Sequence, residues 1–119
     1  MKYRIYDKLT GEFWPWDYAK TYSVQKFEEM RKAERTRTVY RDMYTGLTDY
    51  DGRDIYRNDK VAVVEFFRDE YTNKVIGKNY GDTFVVQDYV YGKAIYEDFS
   101  RNVSFLGREL AIVGNTHED

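Results

Sequence analysis

The sequence has no cysteine, a single proline and a single histidine in 119 residues. Without cysteine there are no disulfides, thiolate metal sites or cysteine nucleophiles. His117 stands two positions from the last residue. One histidine excludes a histidine-rich metal site and argues against a Ser-His-Asp machine. Nothing approaches ~18 consecutive apolar residues, and no apolar run follows Met1 and Lys2, so neither a membrane-spanning nor a signal segment is expected. No internal repeat, low-complexity tract or linker interrupts the chain, so residues 1–119 are expected to form one domain. The formal charge is -2, so no global field points to nucleic acid or membrane.

What is abundant is charge and tyrosine. Charged residues make up 34% of the chain and aromatics 18%, and 13 of the aromatics are tyrosines. Disorder requires few aromatics and a high net charge, so this chain folds. Tyrosine suits half-buried strand faces, and its apolar ring with a wet tip also suits interfaces.

Residues 2–6 alternate as a strand, residues 7–11 turn, and residues 12–14 pair back as a hairpin. Pro15 ends that strand. Residues 23–37 are the one convincing helix. Ser23 is placed to cap it, and Val24, Phe27, Met30 and Ala33 form a narrow apolar stripe. From Val39 onward, short strands alternate with turns. Residues 60–67 and 83–91 are the strongest strands, residues 77–82 read as a glycine-containing loop, and residues 114–119 read as a polar tail. Six to eight short strands predict a mainly β fold, a small barrel or strongly bent antiparallel sheet with one helix inserted near residues 23–37. An α+β arrangement is the alternative.

The chemical constellations are weak. Asp49, Asp51, Asp54 and Asp59 suggest a calcium loop, but counted from Asp49 the glycine falls at the fourth position and an arginine at the fifth. An Asp-rich turn is the better reading. Residues 77–81, GKNYG, lack the phosphate-loop pattern, and no helix follows. Glu28 with Glu29, and Glu97 with Asp98, are sequence neighbours whose side chains diverge. No catalytic residue, metal ligand or cofactor site is assigned, and a non-enzymatic protein is expected. Arg31, Lys32, Arg35, Arg37 and Arg41 crowd the helix end, as its dipole favours. They read as a solvated end or as a docking patch for phosphate or an acidic partner.

The run MYTGLTD at 43–49, followed by DGRDIYRNDKV at 51–61, resembles the YopX family of phage and prophage proteins, whose members carry a run of the form QYTGLKDKNGKEIYEGDIV. The opening KYRIYDK at 2–8 resembles the family's KFRAWDK start, and IVGN at 112–115 its VIGN end. Arg57 and Asn58 replace the usual Glu-Gly, the end is shorter, and residues 65–100 follow the family loosely. The resemblance implies a phage or prophage origin, expression in the cytoplasm of the host bacterium, and a β-rich fold able to self-associate. It brings no catalytic residues.

These readings together predict a phage-encoded protein that occludes a host factor, with bacterial defence, a CRISPR effector or a nucleotide-signalling system as the target. The candidate partner-binding residues are Trp14, Trp16 and Tyr18, with Tyr89, Tyr91, Tyr96, Glu97 and Asp98. The aromatic run at 13–16 has a competing reading as a cluster packed over one end of a core. A nucleic-acid-binding β-module and an oligomeric sponge for a nucleotide signal are the alternatives.

Overall fold

The computed structural model describes residues 1–118. About half of the chain is strand and a fifth helical, in antiparallel sheets that curl into a half-barrel. The elements run β1 (Tyr3–Asp7), β2 (Glu12–Trp14), α1 (Trp16–Ala19), α2 (Val24–Arg35), β3 (Val39–Thr48), β4 (Asp54–Tyr56) and β5 (Asp59–Arg68). They continue with β6 (Val75–Val85), β7 (Val90–Tyr91), β8 (Ala94–Asp98), β9 (Val103–Leu106) and β10 (Leu110–Asn115). The sheet orders are β2-β1-β3-β4, β10-β5-β6 and β7-β8-β9.

Two apolar clusters hold these sheets together. Ile55, Val61, Val86, Ile95 and Leu110 are fully buried where the three sheets meet. Ile55 and Val61 thus face the core. The second cluster, Tyr3, Ile5, Ala19 and Met30, lies between the β1–β3 face and the two helices. Ser23 caps α2 by accepting a hydrogen bond from the Lys26 amide at 3.1 Å. Of the apolar stripe, Met30 is buried, Phe27 and Ala33 are partly buried, and Val24 faces solvent.

Several expectations are corrected. The chain has ten strands among the described residues rather than six to eight. The short helix α1 follows directly on Pro15, which stands at its N-cap in extended conformation. Residues 77–82 are not a loop. They lie inside β6, which pairs with β5 through two register shifts. A Cβ at Gly77 would lie 3.8 Å from the Phe67 ring and one at Gly81 3.6 Å from the Val63 carbonyl oxygen, ordinary contact distances, so crowding does not require glycine at either position. The predicted strand 83–91 is broken after Val85. Val86 is buried there, and its amide and carbonyl are bonded to Asp59 and Asn58. The polar tail is also packed. Gly114 and Asn115 complete β10, and Thr116–Glu118 form a 3-10 turn; residue 119 lies outside the described residues.

The Asp-rich segment is a turn. Asp49 is buried, and its carboxylate accepts the amides of Asp51, Arg53 and Ile112 and the Arg53 guanidinium. The departure from the family pattern at Asn58 is conservative in backbone terms. Asn58 has φ 72°, a left-handed value that glycine or asparagine tolerates best.

The molecule measures 60 × 31 × 27 Å, with a radius of gyration of 16.9 Å. A compact chain of this length would give about 14 Å. The excess comes with the far half of the β5–β6 hairpin, an arm in which residues 65–83 are almost all exposed. Its tip is built by Asp69, which accepts the amides of Tyr71 and Thr72 at 2.8 and 2.9 Å. Those bonds hold the Asp69 carboxyl below its ordinary 3.8. A lowered folded-state value means that the stability lent by the ionised group is full above the unfolded value and is lost as pH falls through the folded one. A carboxyl NMR titration is expected to place Asp69 below 3.8, with Tyr71 and Thr72 amide shifts following it. A midpoint at or above 3.8 would show that the tip is not held this way.

Candidate functional site

The β7–β8 hairpin and the turn after it carry the best-developed exposed cluster. Val90 pairs with Ile95 and Tyr91 with Ala94, around a tight turn at Gly92 (φ 61°) and Lys93. Ile95 is buried in the core and Val90 packs against it. Alternation along the strand then turns Tyr89 and Tyr91 outward. Tyr89, Tyr91 and Phe99 are all exposed. Phe99 stacks with Tyr89 at 6.4 Å between ring centroids and meets Tyr96 at 5.4 Å. Asp88, Tyr89, Val90, Tyr91 and Phe99 line a cleft of about 230 Å³.

Asp88 lines this cleft and Asp98 precedes Phe99, and each has an arginine partner, Arg57 and Arg101. Asp88 is largely exposed and pairs with Arg57 at 3.3 Å. Glu97 lies half-buried on β8, at the register shift between Tyr96 and Asp98. Asp98 caps the Phe99–Arg101 turn, accepting the Ser100 amide at 3.0 Å and hydroxyl at 2.7 Å. The Ser100 hydrogen bonds hold its carboxyl below the usual value, so it stays charged. Its hydrogen bonds go to the turn, where they position Phe99, and the Arg101 guanidinium lies 3.6 Å from it. The sequence reading brought Tyr89, Tyr91, Tyr96, Glu97 and Asp98 together and missed Phe99 and Asp88. Phe99 carries a signal in hindsight, because Asp98, Phe99 and Ser100 have the pattern of a side-chain-capped turn.

The other proposed aromatic group lies elsewhere. Trp14 and Trp16 are half-buried against the second core cluster. Trp16 meets Tyr3 edge-on at 4.9 Å, and Trp14 packs on Tyr18 at 5.2 Å. Tyr18 is partly exposed, but Lys26 sits over its ring and that of Tyr22, each 4.7 Å away. Trp14 and Trp16 therefore belong to the helix–sheet packing, while Tyr18 keeps an exposed face.

The basic residues also divide. Arg31, Lys32 and Arg35 are exposed along a groove of about 440 Å³ on α2, shared with Val24, Phe27 and Glu28. Arg37 is exposed beyond the helix end, with φ 60°. Arg41 leaves the patch. It is partly buried, lies over the Tyr3 ring at 5.1 Å, and forms an ion pair with Glu34 at 3.1 Å without hydrogen-bond alignment.

A buried charge cluster went unseen in the sequence. Arg4 places Nε 3.0 Å from Asp42 and Nη1 2.9 Å from Asp59. Asn58 donates to Asp42 at 2.8 Å, and His117 Nε2 lies 3.0 Å from both Asp42 oxygens. The His117 ring stacks on Tyr6 at 4.5 Å. Burial pushes the Asp59 carboxyl up, with the Arg4 charge acting against it. The Tyr56 amide takes the second Asp59 oxygen. With their oxygens engaged, these aspartates tie β1, β3, β5 and the chain end together rather than facing a substrate.

A family model described as YopX protein matches residues 2–119, essentially the whole chain. A search of curated proteins finds no match.

Proposed function

The chain belongs to the YopX family, and we propose that it is a phage-encoded, non-enzymatic binding protein that inhibits a host factor by occluding it one for one. The phage setting follows from the family resemblance, and it makes bacterial defence, a CRISPR effector or another anti-phage system, the target class. The host cytoplasm is then the place of action. No helix among the described residues is long and apolar enough to cross a membrane.

The observation that carries this reading is the exposed aromatic cleft at Tyr89, Tyr91 and Phe99. Exposed tyrosine is a hot-spot residue type whose ring loses little entropy on docking, and phenylalanine is enriched in interface cores. A chain of net negative charge competes with nucleic acid for a basic groove by charge complementarity. The test is copurification of the tagged chain from a phage-susceptible bacterium, with absorbance at 260 nm read on the eluate. One stoichiometric host protein, lost in a Tyr91→Ala/Phe99→Ala variant, is the expected result. A clean peak would overturn it.

The exposed basic groove at Arg31, Lys32 and Arg35 supports a second reading, a module that binds nucleic acid or a nucleotide phosphate. Excess absorbance at 260 nm, and DNA binding that falls steeply with salt, would favour it over occlusion.

A further inference from the structure

We infer that the cavity between the end of β3, the β7–β8 turn and the Gly107–Glu109 turn binds a small phosphate monoester with an apolar body. Its volume is about 510 Å³, within the ~300–1,000 Å³ usual for small-molecule sites. Three pieces of chain build it. Ala94 pairs with Leu106, so Lys93 and Arg108 stand at the same end of the β8–β9 pair. Gly107 packs so closely on the end of β3 that an added Cβ would lie 2.2 Å from the Thr48 carbonyl oxygen. The β3–β4 register shifts between Tyr44 and Thr48, and inside that irregular stretch Gly46 takes φ 86°. A left-handed value of this kind suits glycine. The stretch from Gly46 to Thr48 thereby forms the third wall.

The lining selects the ligand. Its charged residues are Lys93 and Arg108, which come from separate turns, and no carboxylate lines the cavity. Both cations are exposed, and among the described residues neither has a hydrogen-bond or ion-pair partner. The carboxylates that flank the lining in sequence are engaged elsewhere. Glu109 accepts the Leu106 amide at 2.6 Å, and Asp49 accepts the amides of Asp51, Arg53 and Ile112. Arg4, Arg41 and Arg57, by contrast, each face a carboxylate. Two unmatched positive charges on one cavity repel each other, and an anion offsets that repulsion. A phosphate monoester carries about −1.5 to −2 at neutral pH and matches both cations. A carboxylate or a phosphodiester carries a single charge and leaves one cation over. The planar fork of arginine suits phosphate oxygens, with lysine as a point charge beside it. Counted at ~30 Å³ per heavy atom, a phosphate group takes roughly 150 Å³. The remaining space lies against half-buried Leu47 and Leu106, which suit an apolar body. The site shares no residue with the aromatic cleft or the α2 groove, so it is independent of both readings of function.

NMR titration of the full chain with phenyl phosphate tests it, with benzoate and inorganic phosphate as comparison ligands. Phenyl phosphate is expected to shift the amides of Leu47, Thr48, Lys93 and Gly107, and to bind ~10-fold or more tightly than either comparison ligand. Lys93→Gln and Arg108→Gln change exposed side chains, so the free spectrum should be kept away from the substitution. Each should weaken binding ~10-fold or more, the loss of one hydrogen bond to a charged group. Arg31→Gln/Lys32→Gln, on α2, should leave it unchanged. No shift at the cavity with millimolar phenyl phosphate would overturn the inference. So would binding that survives both cavity variants, or binding lost with the α2 variant instead. Benzoate binding as tightly would overturn the phosphate assignment, and inorganic phosphate binding as tightly would overturn the apolar body.

Discussion

Arg4→Ala is expected to lower the unfolding free energy by about 3–5 kcal/mol, the cost of leaving a buried charge uncompensated. Here one guanidinium serves two carboxylates, Asp42 and Asp59, which are 0% and 1% exposed. Domains are typically stable by only ~5–15 kcal/mol, so this variant would sit near the limit of folding. Urea denaturation measures the effect, and its pH dependence identifies the cause. Asp59 has a folded-state value raised above 3.8 by burial, against the opposing Arg4 charge. A raised carboxyl makes the folded state bind more protons than the unfolded one, so stability falls as pH rises through the folded value. Without Arg4 that value rises further. The loss in Arg4→Ala should therefore be full near neutral pH and shrink as acid neutralises Asp59. A loss that is small at neutral pH, or that grows in acid, would show that the pairing does not hold the sheets together.

Gly107→Ala is expected to cost about 3 kcal/mol, at the upper end of overpacking penalties. A methyl group there would lie 2.2 Å from the Thr48 carbonyl oxygen and 3.3 Å from the Leu47 side chain. The obstacle at 2.2 Å is backbone, so no rotamer change relieves it. Gly107 sits in the Gly107–Glu109 turn between β9 and β10, pressed on the end of β3. That contact seats the β7-β8-β9 sheet, which carries the aromatic cleft. A fall in the thermal midpoint of ~10–15 °C should follow for a domain of this size. Target binding should weaken with it, although no cleft residue is changed. A shift of a degree or two would mean that the turn does not press on β3.

The legible parts of the fold were those written in local pattern. The Ser23 cap, the buried part of the helix stripe and the hairpin at 2–14 all follow from spacing over a few residues. Errors arose where tertiary pairing overrode local chemistry. Gly77 and Gly81 look like loop residues, yet they lie in β6, because its long pairing with β5 carries the strand through them. Residues 114–118 look like a polar tail, yet Asn115 is buried and His117 packs on Tyr6. The pairing of Asp42 with Arg4 and His117 spans 38 and 75 positions, and no local signal marks it. The candidate site was legible in half. Tyr89 and Tyr91 alternate outward from a recognisable hairpin, whereas the cluster at Trp14 and Trp16 had the composition of an interface and the placement of a core.

Titration of the captured host factor's activity with purified chain tests the central claim most directly. Occlusion predicts a linear fall that ends at one chain per target site, and the Tyr91→Ala/Phe99→Ala variant should leave the activity intact at the same ratio. Complete inactivation at a small fraction of that ratio would contradict the account, because one chain would then be acting on many targets.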